Sequence, residues 1–378
     1  MPSRIPFNKP YFTGNETKYI EEAVKSGHIS GNGSFTKKCH HFFEEIFGIK
    51  KALLTTSCTD ALEMAAILLD IKEGDEVIMP SYTFVSTANA FVLRGAKIVF
   101  CDSREDHPGM DEELIEGLIT TRTVAIVPVH YAGVACDMEK IMKLSEKHAL
   151  FVVEDAAQAI DSYFTFSDGT IKALGSIGHL AAFSFHETKN IISGEGGLLA
   201  INDVQFIERA EIIWEKGTNR SAFFRGEVNK YGWVDIGSSF LPSEVIAAFL
   251  WAQLENLKNI QDKRKEIWVK YEKALEDHYA SPFVPIYATN NAHMYYINCE
   301  SLNKRTELIQ ALKDENIFAV FHYLSLHESP FYKDKHDGRV LSNSDNYSDT
   351  LLRLPLFYEL DQKDQDKIIS IIKLVTDN

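Results

Sequence analysis

The chain has 378 residues, of which 45% are hydrophobic, and its formal net charge is −15. This length suffices for one large core and a smaller one, whereas the acidic balance excludes an extended nucleic-acid surface, which needs basic stripes. The five cysteines are scattered without a CxxC pair, which argues against a disulfide framework or a zinc site, and no apolar stretch approaches the ~20 residues of a membrane span. We therefore expect a cytoplasmic protein that has no bound metal and does not contact a membrane.

Short apolar runs alternate with helical patterns over the first two thirds of the chain. Helices are predicted at residues 17–26, 59–69 and 138–147, and another ends near Leu93. The strands are predicted at residues 52–54, 76–80, 97–100, 124–129 and 149–153. This alternation predicts an α/β fold with a mostly parallel central sheet and helices on both of its faces.

The pattern changes near residue 243. A long helix is predicted at residues 243–275, and the remaining elements are a strand at 294–298, a helix at 305–315, a strand at 318–321 and a helix at 362–375. Mixed short strands and helices of this kind indicate a smaller α+β domain. We therefore predict a large domain at residues 1–243 and a small C-terminal domain at residues 244–378.

Two residues at the ends of apolar runs, Lys189 and Asp155, suggest a chemical function. Ligands of open α/β sheets bind at the carboxyl ends of the strands. An amine that forms a Schiff base and a carboxylate that pairs with a protonated ring nitrogen are what a pyridoxal phosphate (PLP) site requires. Taken alone, each residue also fits a simpler interpretation, a solvated lysine and a loop-capping aspartate.

A turn of small residues follows the strand at residues 52–54. Ser57, Cys58 and Thr59 open the next helix, where free N–H groups and the helix dipole favour a dianionic phosphate. The same residues would also make an ordinary helix cap. Ser184 precedes Lys189 and is a second candidate donor to the phosphate, or else a buried polar group of the core.

Several other side chains are candidates for ring or substrate contacts. Phe84 follows a strand end, where it either stacks on a flat heterocycle or packs in the core. His186 shares a strand face with Ser184 and is a candidate for the substrate side. His322 and Tyr323 are interpreted either as a substrate wall or as polar residues beside a strand.

Cations are concentrated in one segment of this acidic chain. Lys216 and Arg220 lie close together there, and Arg225 and Lys230 follow. Such a group fits a clamp for a phosphate carried by the substrate, and it equally fits a solvated loop.

Five longer motifs resemble one known family. They are PSYTFVSTANA, VHYAGVAC, EDAAQ, SFHETKN and EKGTNR, at residues 80–90, 129–136, 154–158, 184–190 and 215–220. With them the chain resembles the fold-type I PLP enzymes of the DegT/DnrJ/EryC1/StrS sugar aminotransferase family over nearly its whole length. Within that family it is most similar to the transaminases that make dTDP-4-amino-4,6-dideoxygalactose for O-antigen, lipopolysaccharide and enterobacterial common antigen synthesis.

The resemblance implies roles for individual residues. Lys189 would carry the cofactor, Asp155 would bind its pyridine nitrogen, and Gln158 would lie near the ring. Phe84 would stack on the ring, and Ser184 would hold the phosphate together with the turn at residues 57–59. Family members are homodimers with sites shared between subunits. Many of them have an asparagine that reaches the partner's phosphate, and this chain offers a serine in that region, Ser239.

The resemblance also implies a reaction. L-Glutamate would give its amino group to the cofactor, leaving 2-oxoglutarate and pyridoxamine phosphate. The amino group would then pass to C4 of dTDP-4-dehydro-6-deoxy-D-glucose, giving dTDP-4-amino-4,6-dideoxy-D-galactose. Alternatives are a product of gluco configuration, amination at C3, or a non-catalytic regulator. A dehydratase is disfavoured, because related dehydratases carry histidine where this chain has Lys189.

Overall fold

A computed structural model describes residues 4–377 of the chain. The strands are β1 (Lys51–Thr55), β2 (Glu76–Pro80), β3 (Lys97–Cys101), β4 (Thr123–Ile126), β5 (Phe151–Asp155), β6 (Tyr163–Thr165), β7 (Ile171–Ala173), β8 (Leu180–Ser184), β9 (Gly197–Ile201), β10 (Tyr296–Asn298), β11 (Val320–Phe321) and β12 (Leu351–Arg353). The helices are α1 (Glu16–Lys25), α2 (Ser34–Phe47), α3 (Cys58–Leu68), α4 (Val85–Val92), α5 (Ile115–Leu118), α6 (Met138–His148), α7 (Ile207–Trp214), α8 (Arg220–Phe224), α9 (Glu244–Leu254), α10 (Leu257–Leu275), α11 (Leu302–Asp314), α12 (Ser342–Thr350) and α13 (Gln362–Thr376).

The main sheet has seven strands in the order β1-β9-β8-β5-β4-β2-β3. The neighbours from β8 to β3 pair in parallel, whereas β9 pairs antiparallel with both β8 and β1. The predicted α/β fold with a mostly parallel sheet is therefore confirmed. Because the parallel strands run in one direction, their carboxyl ends meet at a single edge of the sheet.

Both faces of the main sheet are buried. Alternate residues of β2 enter different cores, since Val77 and Met79 belong to one cluster and Ile78 belongs to the other. This alternation follows from the two-residue period of a strand. Helices cover both clusters, which explains why the strands read as continuous apolar runs in the sequence.

A second, three-stranded antiparallel sheet, ordered β10-β12-β11, lies in the C-terminal part of the chain. It contributes Ile297 and Leu352 to a separate core, which also takes residues of α10, α11 and α13. Ile5 from the N-terminal segment belongs to the same core. The domain division at residue 243 stays a prediction.

The long helix predicted at residues 243–275 is two helices, so that prediction is wrong. Helix α9 ends at Leu254 and α10 begins at Leu257, with Asn256 in a non-helical conformation between them. The Asn256 side chain donates to the backbone oxygen of Ala252, a local bond that competes with helix continuation. Helix α9 packs on α1 and α2, whereas α10 packs on α13. Across residues 4–377, no helix is long and apolar enough to cross a membrane.

Candidate active site

A cavity of about 1070 Å³ opens at the carboxyl edge of the main sheet. All but three of the predicted site residues line it: Ser57, Cys58, Thr59, Phe84, Asp155, Gln158, Ser184, His186, Lys189, His322 and Tyr323. They come from segments far apart in sequence, and the sheet topology brings them together. Within the described range 4–377, no group of side chains has the arrangement of a metal site.

Lys189 lies in the turn that follows β8, where its backbone N–H donates to the oxygen of His186 at 2.9 Å. Its amine lies in the cavity, and burial lowers the pKa of Lys189 from its usual value. The nearby Cys58 and Asp155 act in the opposite direction, and the positive charge of Arg353 lowers the pKa further. A lysine with a lowered pKa has more of the unprotonated amine that attacks an aldehyde.

Asp155 is the last residue of β5, and its buried carboxylate is held on both oxygens. Oδ2 accepts a hydrogen bond from the Thr87 hydroxyl at 2.7 Å, and Oδ1 accepts one from the Ala157 backbone N–H at 3.1 Å. The Thr87 hydroxyl lies 2.9 Å from that of Thr83, one helical turn earlier. Among residues 4–377, Asp155 forms no ion pair, so its charge is available to a ligand in the cavity. A fixed carboxylate of this kind fits a protonated pyridine nitrogen.

The N-terminus of α3 forms the part of the cavity predicted to hold a phosphate. Ser57 is the N-cap residue and accepts a hydrogen bond from the Asp60 N–H at 3.0 Å, so the ordinary-cap interpretation holds for its side chain. The first-turn N–H groups of Cys58 and Thr59 have no partner within the helix. The Thr59 hydroxyl donates to Ser86 at 2.8 Å. Donors gathered at the start of an 11-residue helix fit a phosphate group.

Gly197, the first residue of β9, lies directly against this turn. A Cβ atom built on Gly197 would come closer than 3.0 Å to backbone atoms of Ser57 and Cys58, a separation that real Cβ atoms essentially never show. Glycine is therefore required for the sheet to approach the start of α3 so closely. The glycine-rich segment thus contributes to the shape of the phosphate region.

Aromatic and amide side chains form another wall of the cavity. Phe84 is 55% exposed, which excludes the core-packing interpretation, and its ring centroid lies 6.1 Å from that of Tyr323. Gln158 accepts a hydrogen bond from the Ala132 N–H at 2.7 Å and donates to the Tyr323 hydroxyl at 3.1 Å. The predicted ring contacts of Phe84 and Gln158 stay predictions, because this wall also contacts itself.

The histidines of the cavity differ in environment. His322 stacks on Tyr323 with ring centroids 3.6 Å apart, and its Nδ1 lies 2.7 Å from the Tyr131 hydroxyl. Burial, followed by the charges of Arg353 and Lys189, holds the pKa of His322 well below its usual value. His322 is therefore a neutral hydrogen-bonding group. His186 is less buried, and its Nδ1 lies 2.9 Å from the Thr188 hydroxyl.

Three predicted site residues lie elsewhere. Lys216, Arg220 and Ser239 line a different cavity, of about 590 Å³, which they share with residues 28–32. Arg220 lies 3.9 Å from Glu215 across this space. Within one chain the structure does not bring these residues to Lys189, so any role at such a site would require a second subunit.

Sequence reasoning missed Thr87 and Arg353, which also line the main cavity. Thr87 carries a usable signal, since it follows Thr83 by one turn at the start of a helix beside a predicted ring contact. Arg353 ends the short strand β12, which was not predicted, and its signal is one cation inside an apolar run.

Comparison with known proteins identifies the family. The model of the DegT/DnrJ/EryC1/StrS aminotransferase family matches residues 10–373. The spore coat polysaccharide biosynthesis protein SpsC of Bacillus subtilis is 33% identical over 98% of this chain and 96% of its own. The uncharacterized protein MJ1066 of Methanocaldococcus jannaschii is 31% identical over 100% of this chain and 99% of its own.

Solved structures agree with this assignment. A DegT DnrJ EryC1 StrS aminotransferase from Brucella abortus is 29% identical, with a TM-score of 0.87 over 96% of each chain. The PLP form of a candidate sugar aminotransferase from Streptococcus pneumoniae is 25% identical, with a TM-score of 0.90 over 99% of each chain. The predictions of family, of a PLP-dependent transaminase and of its cofactor are thereby confirmed. This chain belongs to the DegT/DnrJ/EryC1/StrS aminotransferase family.

Proposed function

We propose that the protein transfers the amino group of L-glutamate to C4 of dTDP-4-dehydro-6-deoxy-D-glucose, giving dTDP-4-amino-4,6-dideoxy-D-galactose and 2-oxoglutarate. The observation that carries the proposal is the meeting of Lys189, Asp155 and the N-terminus of α3 in one cavity. Family membership supports a sugar as amino acceptor. The nucleotide, the carbon atom and the galacto configuration rest on the sequence motifs at residues 80–90 and 184–190.

Bound PLP supplies an electron-withdrawing ring that stabilises negative charge at the carbon losing its proton. Asp155 would keep the ring nitrogen protonated, because a carboxylate held by Thr87 and Ala157 cannot turn away. Lys189, once free, would take the proton from Cα of glutamate and later deliver one to C4 of the sugar. Its lowered pKa favours the unprotonated amine needed for the first of these steps.

The proposed sugar contacts are His186, His322 and Tyr323. A neutral His322 offers both a donor and an acceptor nitrogen, which suits sugar hydroxyls. The His322 and Tyr323 rings stack, so they present a flat wall on which one face of a sugar ring can lie. Which sugar face receives the proton at C4 would then depend on this wall.

We further propose a homodimer in which Lys216, Arg220 and Ser239 act at the partner's site. Large apolar side chains are exposed in the segment after them, including Trp233 at 83% and Phe224 at 69%. Exposed aromatic side chains close together are typical of protein interfaces. Sedimentation at micromolar concentration should give a dimer, and Trp233→Ser should shift it toward the monomer.

The proposed function is tested with a panel of keto-sugar nucleotides. The purified protein is loaded with PLP, supplied with L-glutamate and mixed with dTDP, UDP and GDP sugars that carry the ketone at C3 or C4. NMR of the product should show an axial amine at C4 from the dTDP-4-keto substrate. An equatorial amine, or amination at C3, would replace the proposal with one of its close alternatives. No amination together with no glutamate-dependent change in cofactor absorbance would favour a non-catalytic role.

A further inference from the structure

Arg353 brings a second cation into the cavity that contains Lys189. It is the last residue of β12, the central strand of the small sheet, where it pairs with Tyr296 and Val320. Its neighbours Leu352 and Leu354 point into the C-terminal core. Because side chains alternate along a strand, Arg353 points the other way, toward the cavity.

The guanidinium of Arg353 lacks an anionic partner. Among residues 4–377 it forms no ion pair and no side-chain hydrogen bond, and its Nε is a buried donor without an acceptor. Its one printed contact is with the Phe7 ring, whose centroid lies 4.6 Å from Cζ. Burying a charged donor without a partner is costly, so such a group marks a place where a ligand completes the site.

The cavity's own carboxylates are engaged elsewhere. Asp155 is held by its two hydrogen-bond donors, and His327 lies 3.7 Å from Glu328 and 3.6 Å from Asp345. Glu195 lies 3.7 Å from His186. The missing anion must therefore come from outside the chain.

We infer that Arg353 binds the α-carboxylate of the amino donor. This inference rests on the proposed function and extends it to a residue that discriminates between donor molecules. The donor's nitrogen must reach the position occupied by the Lys189 amine, and its carboxylate is one carbon away from that nitrogen-bearing carbon's substituents. A guanidinium beside Lys189 is therefore well situated for a carboxylate and matches its geometry with two parallel N–H donors.

The other anion in the reaction is the diphosphate of the sugar nucleotide. It is attached at C1, across the sugar ring from the reacting C4 atom. A group deep beside Lys189 is thus farther from the diphosphate than from a donor carboxylate. The Arg353 charge also influences Lys189, His293 and His322, each of which has its pKa lowered by it, so the guanidinium belongs to the reacting end of the cavity.

The test separates the two half-reactions. In single-turnover experiments, the PLP-loaded protein is mixed with increasing L-glutamate, and the change in cofactor absorbance gives an apparent Kd. Arg353→Gln should raise this Kd about 10- to 100-fold, the effect expected for losing a charge-assisted bond. Arg353→Lys should recover part of the loss, because it keeps the charge without the paired donors. The reaction of the pyridoxamine phosphate form with the keto sugar should change less than about twofold.

A binding measurement complements the kinetics. Calorimetric titration of the PLP-loaded protein with 2-oxoglutarate should show a comparable loss of affinity in Arg353→Gln, whereas dTDP should bind as it does to the wild type. Arg4→Gln is the matched control, since Arg4 is exposed and its Cζ also lies over an aromatic ring, Phe318, at 4.4 Å. This control should leave both affinities unchanged.

Each outcome decides between explanations. If glutamate does not convert the wild-type cofactor, the proposed function fails before Arg353 is tested. If the wild type reacts but Arg353→Gln keeps its glutamate and 2-oxoglutarate affinities within about twofold, the inference is overturned. A selective loss of dTDP affinity would also overturn it and assign Arg353 to the diphosphate. A lowered melting temperature with unchanged ligand affinities would show that the Phe7 contact is purely structural.

Discussion

Gly197→Ala tests the shape of the phosphate region with the smallest available change. Gly197 pairs with Thr55 in β1 and with Ser184 in β8, so its backbone is fixed from both sides. The added methyl group would lie closer than 3.0 Å to backbone atoms of Ser57 and Cys58. Carbon atoms pack best at about 3.5–4.0 Å, so the turn has to move by roughly an ångström. Backbone atoms cannot rotate away as a flexible side chain would.

The cost of this displacement should appear in cofactor binding. Overpacking at a rigid site costs about 1–3 kcal/mol, and the shifted atoms are those that open α3. We expect the Kd for PLP to rise about 10-fold to 100-fold, because each 1.4 kcal/mol corresponds to a factor of ten. Absorbance titration of the cofactor-free protein with PLP measures this constant.

Gly117→Ala is the matched control for this prediction. Gly117 lies in α5, and a Cβ atom added there meets nothing within 4 Å. Its affinity for PLP should equal that of the wild type. A folded Gly197→Ala protein with the wild-type Kd would show that the start of α3 does not hold the phosphate.

The remaining substitutions concern the two groups predicted to contact the cofactor. Lys189→Ala should lower turnover by at least about 10²–10⁴-fold, and borohydride reduction followed by peptide mass spectrometry should find the pyridoxyl group on residue 189 in the wild type only. Asp155→Asn should slow both half-reactions, so an effect on one alone would contradict its role at the ring nitrogen. Thr87→Val removes the hydroxyl that donates to Asp155 and should slow both half-reactions about 10- to 100-fold, whereas Thr87→Ser should keep near-wild-type rates.

The parts of the site that follow strand ends could be predicted from the sequence. Asp155 and Ser184 are the last residues of β5 and β8, and Ser57 follows β1 closely. Apolar runs identify buried strands, and parallel strands end at one edge, so residues after such runs converge. The 2.7 Å bond from Thr87 to Asp155 could not be predicted in this way, because it depends on the side-chain geometry between α4 and β5.

Residues outside this rule were harder to locate. Arg353 reaches the cavity because β12 pairs with β10 and β11, and such pairing of distant segments leaves little trace in three residues. The break at Asn256 depends on which helices α9 and α10 pack against, and the apolar spacing alone does not show it. The position of Arg220 in a different cavity likewise depends on long-range packing.

The charge balance around Lys189 leads to a pH prediction with a definite sign. Burial lowers the pKa of Lys189, Cys58 and Asp155 oppose this, and Arg353 adds to the lowering. The rate at which the cofactor-free protein bonds to added PLP should follow the unprotonated fraction of the amine and therefore rise with pH. Arg353→Gln removes one positive neighbour, so the pKa of Lys189 should rise and the midpoint of this rate profile should move to higher pH. Stopped-flow absorbance across a pH series measures both midpoints, and Arg4→Gln should leave the midpoint unchanged. A midpoint that stays fixed or falls in Arg353→Gln would mean that the guanidinium does not act on the amine, and it would separate the electrostatic role of Arg353 from its inferred role in binding the donor.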